Sequence, residues 1–217
     1  MIDLNGPRQS SGPLAELARD VRACTLCAAH LPLGPKPILR VDARTRILIT
    51  GQAPGTKVHH TGLPWNDASG ERLRDWLGVD RDTFYALDHF GVMAMGFCYP
   101  GRGKGGDLPP RPECAPRWHA PIRALLPALQ LTLLPGAYGQ RYYLPVKGES
   151  LTDTVRRFQD FLPLGYFPLP HPSPRNTRWL RDRPWFEQDV VPVLRAKVAA
   201  ILAAPSPAPL ARPAVTR

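Results

Sequence analysis

Ile47-Leu48-Ile49-Thr50-Gly51-Gln52-Ala53-Pro54-Gly55 is the stretch that decides the fold, because a short apolar run ends there at a glycine. Short apolar runs bounded in this way are typical of buried strands. Gly51 permits a sharp exit from the strand, Gly55 lets the backbone approach a ligand closely, and Pro54 stiffens the loop. Backbone N–H groups in such a turn can point at an anion or a carbonyl oxygen. The alternative interpretation is an ordinary strand-to-helix turn.

Three further apolar runs follow along the chain, and each is short and bounded by glycine or proline. They are Val92–Phe97, Leu131–Leu134 and Tyr166–Leu169. Helical patterns accompany the four runs at Leu14–Val21, Ser69–Leu77, Trp118–Leu129, Leu151–Phe161 and about Trp185–Leu202. Because strands and helices alternate, the sequence predicts a parallel sheet with helices on both faces. Binding sites in such sheets form beyond the carboxyl ends of the strands.

The composition predicts a globular domain with a strong basic excess. The chain has 217 residues, 43% of them apolar, and its net charge of +10 comes from 28 basic and 18 acidic side chains. This excess favours a polyanionic partner, and we expect that partner to be nucleic acid. The alternative is a basic surface that is simply solvated.

The ends of the chain differ from its middle. Residues 1–12 are polar and predicted to be flexible, residues 13–202 carry the domain, and the Ala/Pro-rich residues 203–217 are predicted to be disordered. Apolar runs stay shorter than the roughly 18 residues that a membrane span needs. Met1–Asn5 does not resemble a secretory signal. We therefore expect a cytoplasmic monomer with no membrane partner.

The stretch Pro168–Asn176 follows the last apolar run and holds a histidine between prolines. A rigidly placed imidazole at a strand end can stabilise negative charge that develops beside it. Ser173 and nearby backbone N–H groups are suited to hold a phosphate. Arg175 can reach into a groove of DNA or fill a gap in a base stack. A structural histidine in a turn is the alternative interpretation of His171.

Two loops add candidate contacts to a nucleic acid. In Thr61–Gly70, Trp65 follows a proline and is suited to stack on a flat base, although a core tryptophan is the alternative. Pro100–Asp107 is a glycine-rich basic segment whose Arg102 and Lys104 can follow a DNA backbone. An uninvolved flexible surface loop is the alternative interpretation of that segment.

The cysteines form a spaced set at Cys24, Cys27, Cys98 and Cys114. A C-x-x-C pair on a turn, together with two further cysteines, can supply four thiolates to zinc or to an iron–sulfur cluster. In a cytoplasmic protein a metal site is more usual than disulfides. The alternative is two buried cysteines and a C-x-x-C pair that binds nothing.

Taken together, these segments resemble the uracil-DNA glycosylase superfamily over roughly residues 20–200. Gly51–Gly55 matches its first motif, G-[EQ]-x-P-[GY], and His171–Asn176 matches its second, H-P-S-P-x-x. The wording of the second motif is most similar to the single-strand-selective branch. Thr61–Trp65 and the cysteine spacing are similar to the iron–sulfur family 4 branch.

The resemblance implies an α/β/α sandwich around a four-stranded parallel sheet. It also implies a flipped base, hydrolysis of its N-glycosidic bond, and a [4Fe–4S] cluster on the four cysteines, with zinc as the alternative. It assigns His171 to the base carbonyl oxygen, Trp65 to base stacking and Gln52 to the attacking water. The remaining residues that it implicates are the loop residues Gly51, Ala53, Pro54 and Gly55 and the DNA contacts Ser173, Arg175 and Asn176.

Two departures from the family pattern stand out. Gln52, Ala53 and Pro54 offer no carboxylate. The second strand lacks the asparagine that reads the uracil edge, so Asn66 is the candidate substitute.

From the resemblance as a whole we expect a DNA repair glycosylase acting on uracil or another deaminated base. The alternatives are a weakly catalytic or non-catalytic member that binds DNA or abasic sites, and a nucleotide hydrolase.

Overall fold

The computed structural model describes residues 12–205, so the predictions for residues 1–11 and 206–217 lie outside the described residues. The strands are β1 Ile47–Ile49, β2 Phe90–Val92, β3 Arg102–Gly103, β4 Gly106–Asp107, β5 Leu131–Pro135 and β6 Tyr166–Leu169. The α-helices are α1 Pro13–Arg22, α2 Thr56–Thr61, α3 Ala68–Leu77, α4 Arg81–Tyr85, α5 Cys114–Ala124, α6 Ala137–Tyr143, α7 Leu151–Arg156, α8 Thr177–Arg181 and α9 Val191–Ala203. Shorter 3₁₀ turns span Ala28–His30, Phe158–Leu164 and Pro174–Asn176, and a π-helical turn spans Phe186–Val190. Within residues 12–205, no helix combines the length and apolar character needed to cross a membrane.

The central sheet has the order β2-β1-β5-β6, and each neighbouring pair of strands is parallel. Strand β1 separates the two main parts of the core because successive side chains point to opposite faces. Ile47 and Ile49 pack with residues of α3 and α9 on one face, whereas Leu48 packs with residues of α1 and α5 on the other. The predicted three-layer α/β/α sandwich is confirmed.

The second strand differs from its predicted position. The sequence predicts Val92–Phe97, but the paired residues are Phe90–Val92. Gly91 lies where a Cβ would come within 2.8 Å of the Thr45 side chain, so a residue that looks like a strand breaker permits close packing there. The chain beyond Val92 still follows β1, since the Met93 amide donates to the Ile49 carbonyl at 3.0 Å.

Several predicted boundaries also move. Helix α5 begins and ends several residues before the predicted Trp118–Leu129, with a proline inside it. The predicted helix Leu151–Phe161 is divided into α7 and a 3₁₀ turn. The basic segment Pro100–Asp107 is no plain loop, because β3 and β4 pair there as an antiparallel hairpin.

Arg46 ties the last helix to the sheet. Its side chain is almost fully buried, and its guanidinium donates to the carbonyl oxygens of Ile201 at 2.7 Å and Ala204 at 2.8 Å. The same group contacts His89 Nδ1 at 2.7 Å. A buried cation is tolerated where several acceptors surround it, and the carbonyls at a helix end are such acceptors. This contact fixes the end of α9 against the start of β1.

Candidate active site

The loops that follow β1, β5 and β6 meet at the carboxyl edge of the sheet. A Cβ on Gly51 would lie 3.1 Å from the Trp65 ring, and a Cβ on Gly136 would lie 3.6 Å from the His171 side chain. The rings of Trp65 and His171 are 5.7 Å apart between centroids. The fold thus brings the two sequence motifs and the tryptophan together, as their positions after parallel strands predict.

His171 has a defined tautomer. Its Nδ1 accepts a hydrogen bond from the Ser173 backbone N–H at 3.2 Å, which assigns the remaining imidazole proton to Nε2. Burial lowers the pKa of His171 below its usual value, and the Asp67 carboxylate partly opposes this shift. The side chain is therefore a neutral imidazole that offers one N–H donor.

The loop that carries His171 is held from both sides. The Asn176 amide donates to the His171 carbonyl oxygen at 2.7 Å, and the Arg72 guanidinium donates to the Ser173 carbonyl at 3.2 Å. The Ser173 hydroxyl accepts from the Arg175 backbone N–H at 3.3 Å and so caps the following 3₁₀ turn. Asn176 and Ser173, both expected to contact DNA, therefore also shape the loop itself.

Gln140 fixes the strands behind this loop and was not singled out by the sequence. Its buried amide donates to the carbonyls of Leu134 at 3.0 Å and Leu169 at 2.8 Å, so it joins the ends of β5 and β6. Nothing in the local sequence marks this residue, because the two acceptors become neighbours only through strand pairing. Gln140 holds the strand end from which His171 emerges.

The first motif is bound to the chain that follows β2. The amides of Met95 and Gly96 donate to the carbonyls of Gly51 at 2.8 Å and Gln52 at 3.0 Å. The Gln52 side chain donates from Nε2 to the Leu108 carbonyl at 3.1 Å. One part of the amide expected to face the attacking water is therefore engaged in holding the β3–β4 hairpin.

Trp65 adopts a left-handed backbone conformation with φ of 59°, which is a strained state for a bulky residue. Its carbonyl oxygen lies where a Cβ on Gly70 would be 1.7 Å away, so only glycine fits at position 70. The Arg74 guanidinium donates to that carbonyl at 3.1 Å, and the Tyr85 hydroxyl donates to the Pro64 carbonyl at 2.9 Å. These contacts keep the indole at the site despite the strain.

The space between Trp65 and His171 is too small for a stacked base. The rings are 5.7 Å apart and inclined by 31°, whereas a base sandwiched between two rings needs about 7 Å, twice the closest separation of nonbonded carbon atoms. A base stacked on Trp65 would have to contact another part of the indole.

The β3–β4 hairpin covers both motifs and brings in a carboxylate. Arg175 donates from Nη1 to the Gly105 carbonyl at 2.9 Å, and Gln52 holds the residue after the hairpin. Asp107 Oδ2 lies 3.2 Å from the position that a Cβ would take on Gly55. The sequence predicts only a basic loop here, and Asp107 is not among the predicted site residues. Its position after a glycine pair gave no sign that it returns to the first motif.

The other expected nucleic-acid contacts are unequally placed. Arg102 and Lys104 are exposed on the hairpin beside the site. Asn66 accepts a hydrogen bond on Oδ1 from the Arg81 guanidinium at 3.1 Å, so its amide oxygen already has a partner. Its assignment as a reader of the base edge therefore stays a prediction.

The four cysteines line one cavity. Cys24 and Cys27 follow α1, Cys98 follows β2, and Cys114 begins α5; all four line this cysteine cavity together with Phe97 and Trp118. The Phe97 backbone N–H donates to Cys114 Sγ at 3.4 Å. Distant segments of the sequence thus converge as the C-x-x-C spacing and the later pair predict.

The thiols of the cysteine cavity are poorly solvated. Burial, with a smaller effect from the neighbouring thiol groups, raises the pKa of Cys98 to about 11 and that of Cys114 to about 12. Burial also raises the pKa of Cys27. Within the described part of the chain, no three histidine, cysteine, aspartate or glutamate side chains form a group that could hold a metal ion.

A comparison with known protein families agrees with this geometry. Residues 40–195 match the uracil DNA glycosylase superfamily, and the matched region contains both motif loops, Trp65 and the β3–β4 hairpin. This match extends over more than half of the chain. The chain therefore belongs to the uracil DNA glycosylase superfamily.

Proposed function

We propose that this protein hydrolyses the N-glycosidic bond of uracil or another deaminated base in DNA. The observation that carries the proposal is the neutral His171 imidazole, whose free N–H is Nε2 because Nδ1 accepts from Ser173. It lies beside Trp65, whose ring contacts Gly51 of the first-motif loop, in a chain of the glycosylase superfamily.

His171 acts on the leaving group. When the bond between C1′ and the base nitrogen breaks, its electron pair leaves with the base, and the negative charge spreads to the base carbonyl oxygen. An N–H donor already fixed beside that oxygen stabilises the charge without reorganisation. The hydrogen bonds from Ser173 and Asn176 hold the imidazole in place for this purpose.

Asp107 supplies the carboxylate that the first motif lacks. Its Oδ2 approaches Gly55 on the hairpin that Gln52 and Arg175 hold over the site. A carboxylate there stabilises positive charge on the sugar and orients a water molecule toward C1′. The water oxygen bonds to C1′ and its proton passes to Asp107, which returns it to solvent; the base leaves as an anion hydrogen-bonded to His171 and takes up a proton from solvent.

Release of free base is the decisive test. Oligonucleotides that carry uracil, hypoxanthine, xanthine or a mismatch are incubated with the full chain, and free base is measured by chromatography. We expect release from at least one deaminated substrate. Binding in a gel shift without base release supports the non-catalytic alternative, and phosphate release from free nucleotides supports the nucleotide hydrolase.

DNA binding is expected to depend strongly on salt. The net charge is +10, and Arg102, Lys104 and Arg175 are exposed near the site. Phosphate contacts release counterions, so six or more contacts reduce affinity by about 1,000-fold or more between roughly 50 and 200 mM salt. Fluorescence anisotropy with a labelled oligonucleotide measures this, and an affinity that does not change with salt contradicts the polyanion interpretation.

We also propose that the cysteine cavity holds a [4Fe–4S] cluster. The support is the convergence of four cysteine side chains from separate segments on one cavity with an otherwise largely apolar lining. The cluster would be structural, tying the chain after α1 to the chain after β2 and to α5. In a four-iron cluster each thiolate binds a different iron, so the thiols need not surround one ion as they do around zinc.

Metal analysis of anaerobically purified protein tests this second proposal. We expect a brown protein with broad absorbance near about 400 nm and about four iron atoms per chain. Zinc at about one atom per chain supports the zinc alternative. Protein that contains neither iron nor zinc contradicts a metal role for the four cysteines.

A further inference from the structure

An open groove lies beside the candidate active site on the side of α5 and α6. Its walls include Met95, Pro110, Pro112, Tyr138, Arg141 and Tyr142, and its volume is about 360 Å³. None of these residues belongs to the two sequence motifs. We refer to this feature as the tyrosine groove.

The tyrosine groove contains the exposed aromatic rings of the chain. All phenylalanine, tryptophan and tyrosine residues lie within residues 12–205, and of these only Tyr138 and Tyr142 are exposed. Their side chains are 36% and 45% exposed, respectively. Positions four apart share one face of a helix, so α6 presents both rings to the same surface. Leaving two large rings in water is a cost that a stacking partner would remove.

The groove also carries an unpaired positive charge. Arg141 lies between the two tyrosines on α6, and it has no ion-pair, hydrogen-bond or ring partner within residues 12–205. Arg111, on the opposite wall, is paired with Glu113 at 2.5 Å, so its charge is balanced. The surface therefore combines stacking rings with one free cation, and this favours a polyanion that carries flat groups.

The groove opens next to the candidate site. Met95 forms part of its wall, and the Met95 amide donates to the Gly51 carbonyl of the first motif at 2.8 Å. Tyr138 is two residues beyond Gly136, whose Cβ position is 3.6 Å from His171. The groove and the site therefore adjoin, and a strand whose target base enters the site can continue along the groove.

We propose that the tyrosine groove binds unpaired nucleotides that flank the target base, with bases stacked on Tyr138 and Tyr142 and a phosphate on Arg141. Aromatic rings beside a cation are the usual platform for single-stranded nucleic acid, because every base offers a stackable face. Paired bases hide their faces within the duplex. The proposal deepens the proposed function and rests on it: the preferred substrate is single-stranded DNA, or duplex DNA that is locally open.

Binding is tested separately from catalysis. A labelled oligo-dT without any damaged base is titrated with the parent protein and with the Tyr138→Ala/Tyr142→Ala double variant. Loss of two stacked bases is expected to weaken binding about 30-fold. The Tyr138→Phe/Tyr142→Phe variant keeps both rings and should bind like the parent. Leu164→Ala is the matched control, since it removes another exposed apolar side chain beside the amino end of β6.

The contribution of the Arg141 charge is tested by the salt dependence of binding. Arg141→Gln should reduce the slope of log affinity against log salt by about 1, whereas Lys197→Gln on α9 should leave the slope unchanged. Thermal melting confirms that each variant is folded. For uracil-containing substrates, the double alanine variant should raise KM for single strands more than for duplexes and leave kcat near the parent value.

The outcomes separate the two proposals. If oligo-dT binding is the same in the parent and the double alanine variant, the groove does not bind single strands. Binding of polyglutamate in preference to oligo-dT, with the same dependence on the tyrosines, also overturns it in favour of an acidic peptide. If the parent releases no base from any substrate but the double alanine variant still loses oligo-dT binding, nucleic-acid binding by the groove is supported and the proposed catalytic function is contradicted.

Discussion

The carboxyl edge of the sheet and the cysteine cavity are organised in different ways. At the edge, side-chain and backbone hydrogen bonds set the position of each group: Ser173 and Asn176 hold His171, and Gln52 holds the hairpin. In the cysteine cavity, one 3.4 Å contact from the Phe97 amide reaches Cys114, and burial dominates the environment of the thiols.

The difference indicates how each region gains its function. The edge is arranged in advance for one charge distribution, so removal of one donor should affect chemistry and leave folding largely intact. The cavity groups four thiols with one cation, Arg111, and burial dominates their environment, so we expect its contribution to be structural and to depend on what the cysteines bind. Four substitutions examine this contrast through the kinetics of base excision, measured as the rate for three of them and as KM for Trp65→Ala.

The largest effect is expected for His171→Ala. It removes the fixed N–H donor at the leaving base, and loss of one such donor typically lowers the rate by about 100- to 1,000-fold. Single-turnover excision measures the effect, and DNA affinity should change little. His171→Gln restores a donor in a different geometry, so its excision rate should lie between those of the parent and of His171→Ala. Excision by folded His171→Ala at the parent rate would mean that the active site lies elsewhere.

Asp107→Asn is expected to have the second-largest effect. Its excision rate should decrease by about 100-fold, the lower end of the range for general base catalysis. An amide has nearly the same shape as the carboxylate but neither accepts the proton nor stabilises the sugar cation. The control is Asp189→Asn, which neutralises an exposed carboxylate in the π-helical turn Phe186–Val190. Equal rates for the two variants would remove Asp107 from the mechanism.

Trp65→Ala should act mainly on binding. Loss of stacking on one base costs about 1–3 kcal/mol, which corresponds to about 5- to 150-fold in KM. Alanine keeps the Cβ and with it the left-handed backbone strain, but because the indole is only partly buried the thermal stability of the variant should not fall as far as for a core tryptophan. An unchanged KM would show that the base does not contact the indole.

The smallest effect on the rate is expected for Cys114→Ser. Substitutions at separate sites usually combine within about 0.5 kcal/mol, so excision per folded molecule should stay within about twofold of the parent. Iron content and the absorbance near about 400 nm should fall sharply, and the melting temperature with them. If folded Cys114→Ser lost as much rate as His171→Ala, the cysteine cavity would contribute to the chemistry as directly as the carboxyl edge does.

The architecture could be predicted from the sequence because the apolar patterns that indicate it are periodic and local. Four short apolar runs separated by helical patterns lead to a parallel sheet, and a parallel sheet brings Gly51 and His171 to one edge. The position of β2 was harder to predict, since Gly91 looks like a break and is in fact a close packing position. The apolar side chains of Met93, Met95 and Phe97 are buried in the core, although β2 ends at Val92. Burial without strand pairing explains why this stretch looks like a strand in the sequence.

The supporting residues of the site could not be predicted, because their roles depend on contacts between distant segments. Gln140 joins two strand ends, and Asp107 reaches Gly55 only after the hairpin has folded back. Gly70 is an ordinary helix residue in the sequence, but the Trp65 carbonyl occupies the space of its missing side chain. Each of these follows from tertiary proximity, of which a single sequence contains no direct record.

The buried Arg46 has a consequence for limited proteolysis and truncation. Its guanidinium relies on the carbonyls of Ile201 and Ala204, so the last turn of α9 completes the hydrogen bonding of a cation at the base of the sheet. Trimming the chain to residue 200 would leave that cation without three of its acceptors, the carbonyls of Ile201, Leu202 and Ala204, in a water-poor site. The smallest fragment that keeps the sheet intact therefore extends through Ala204, and the limit is set by electrostatics more than by apolar packing.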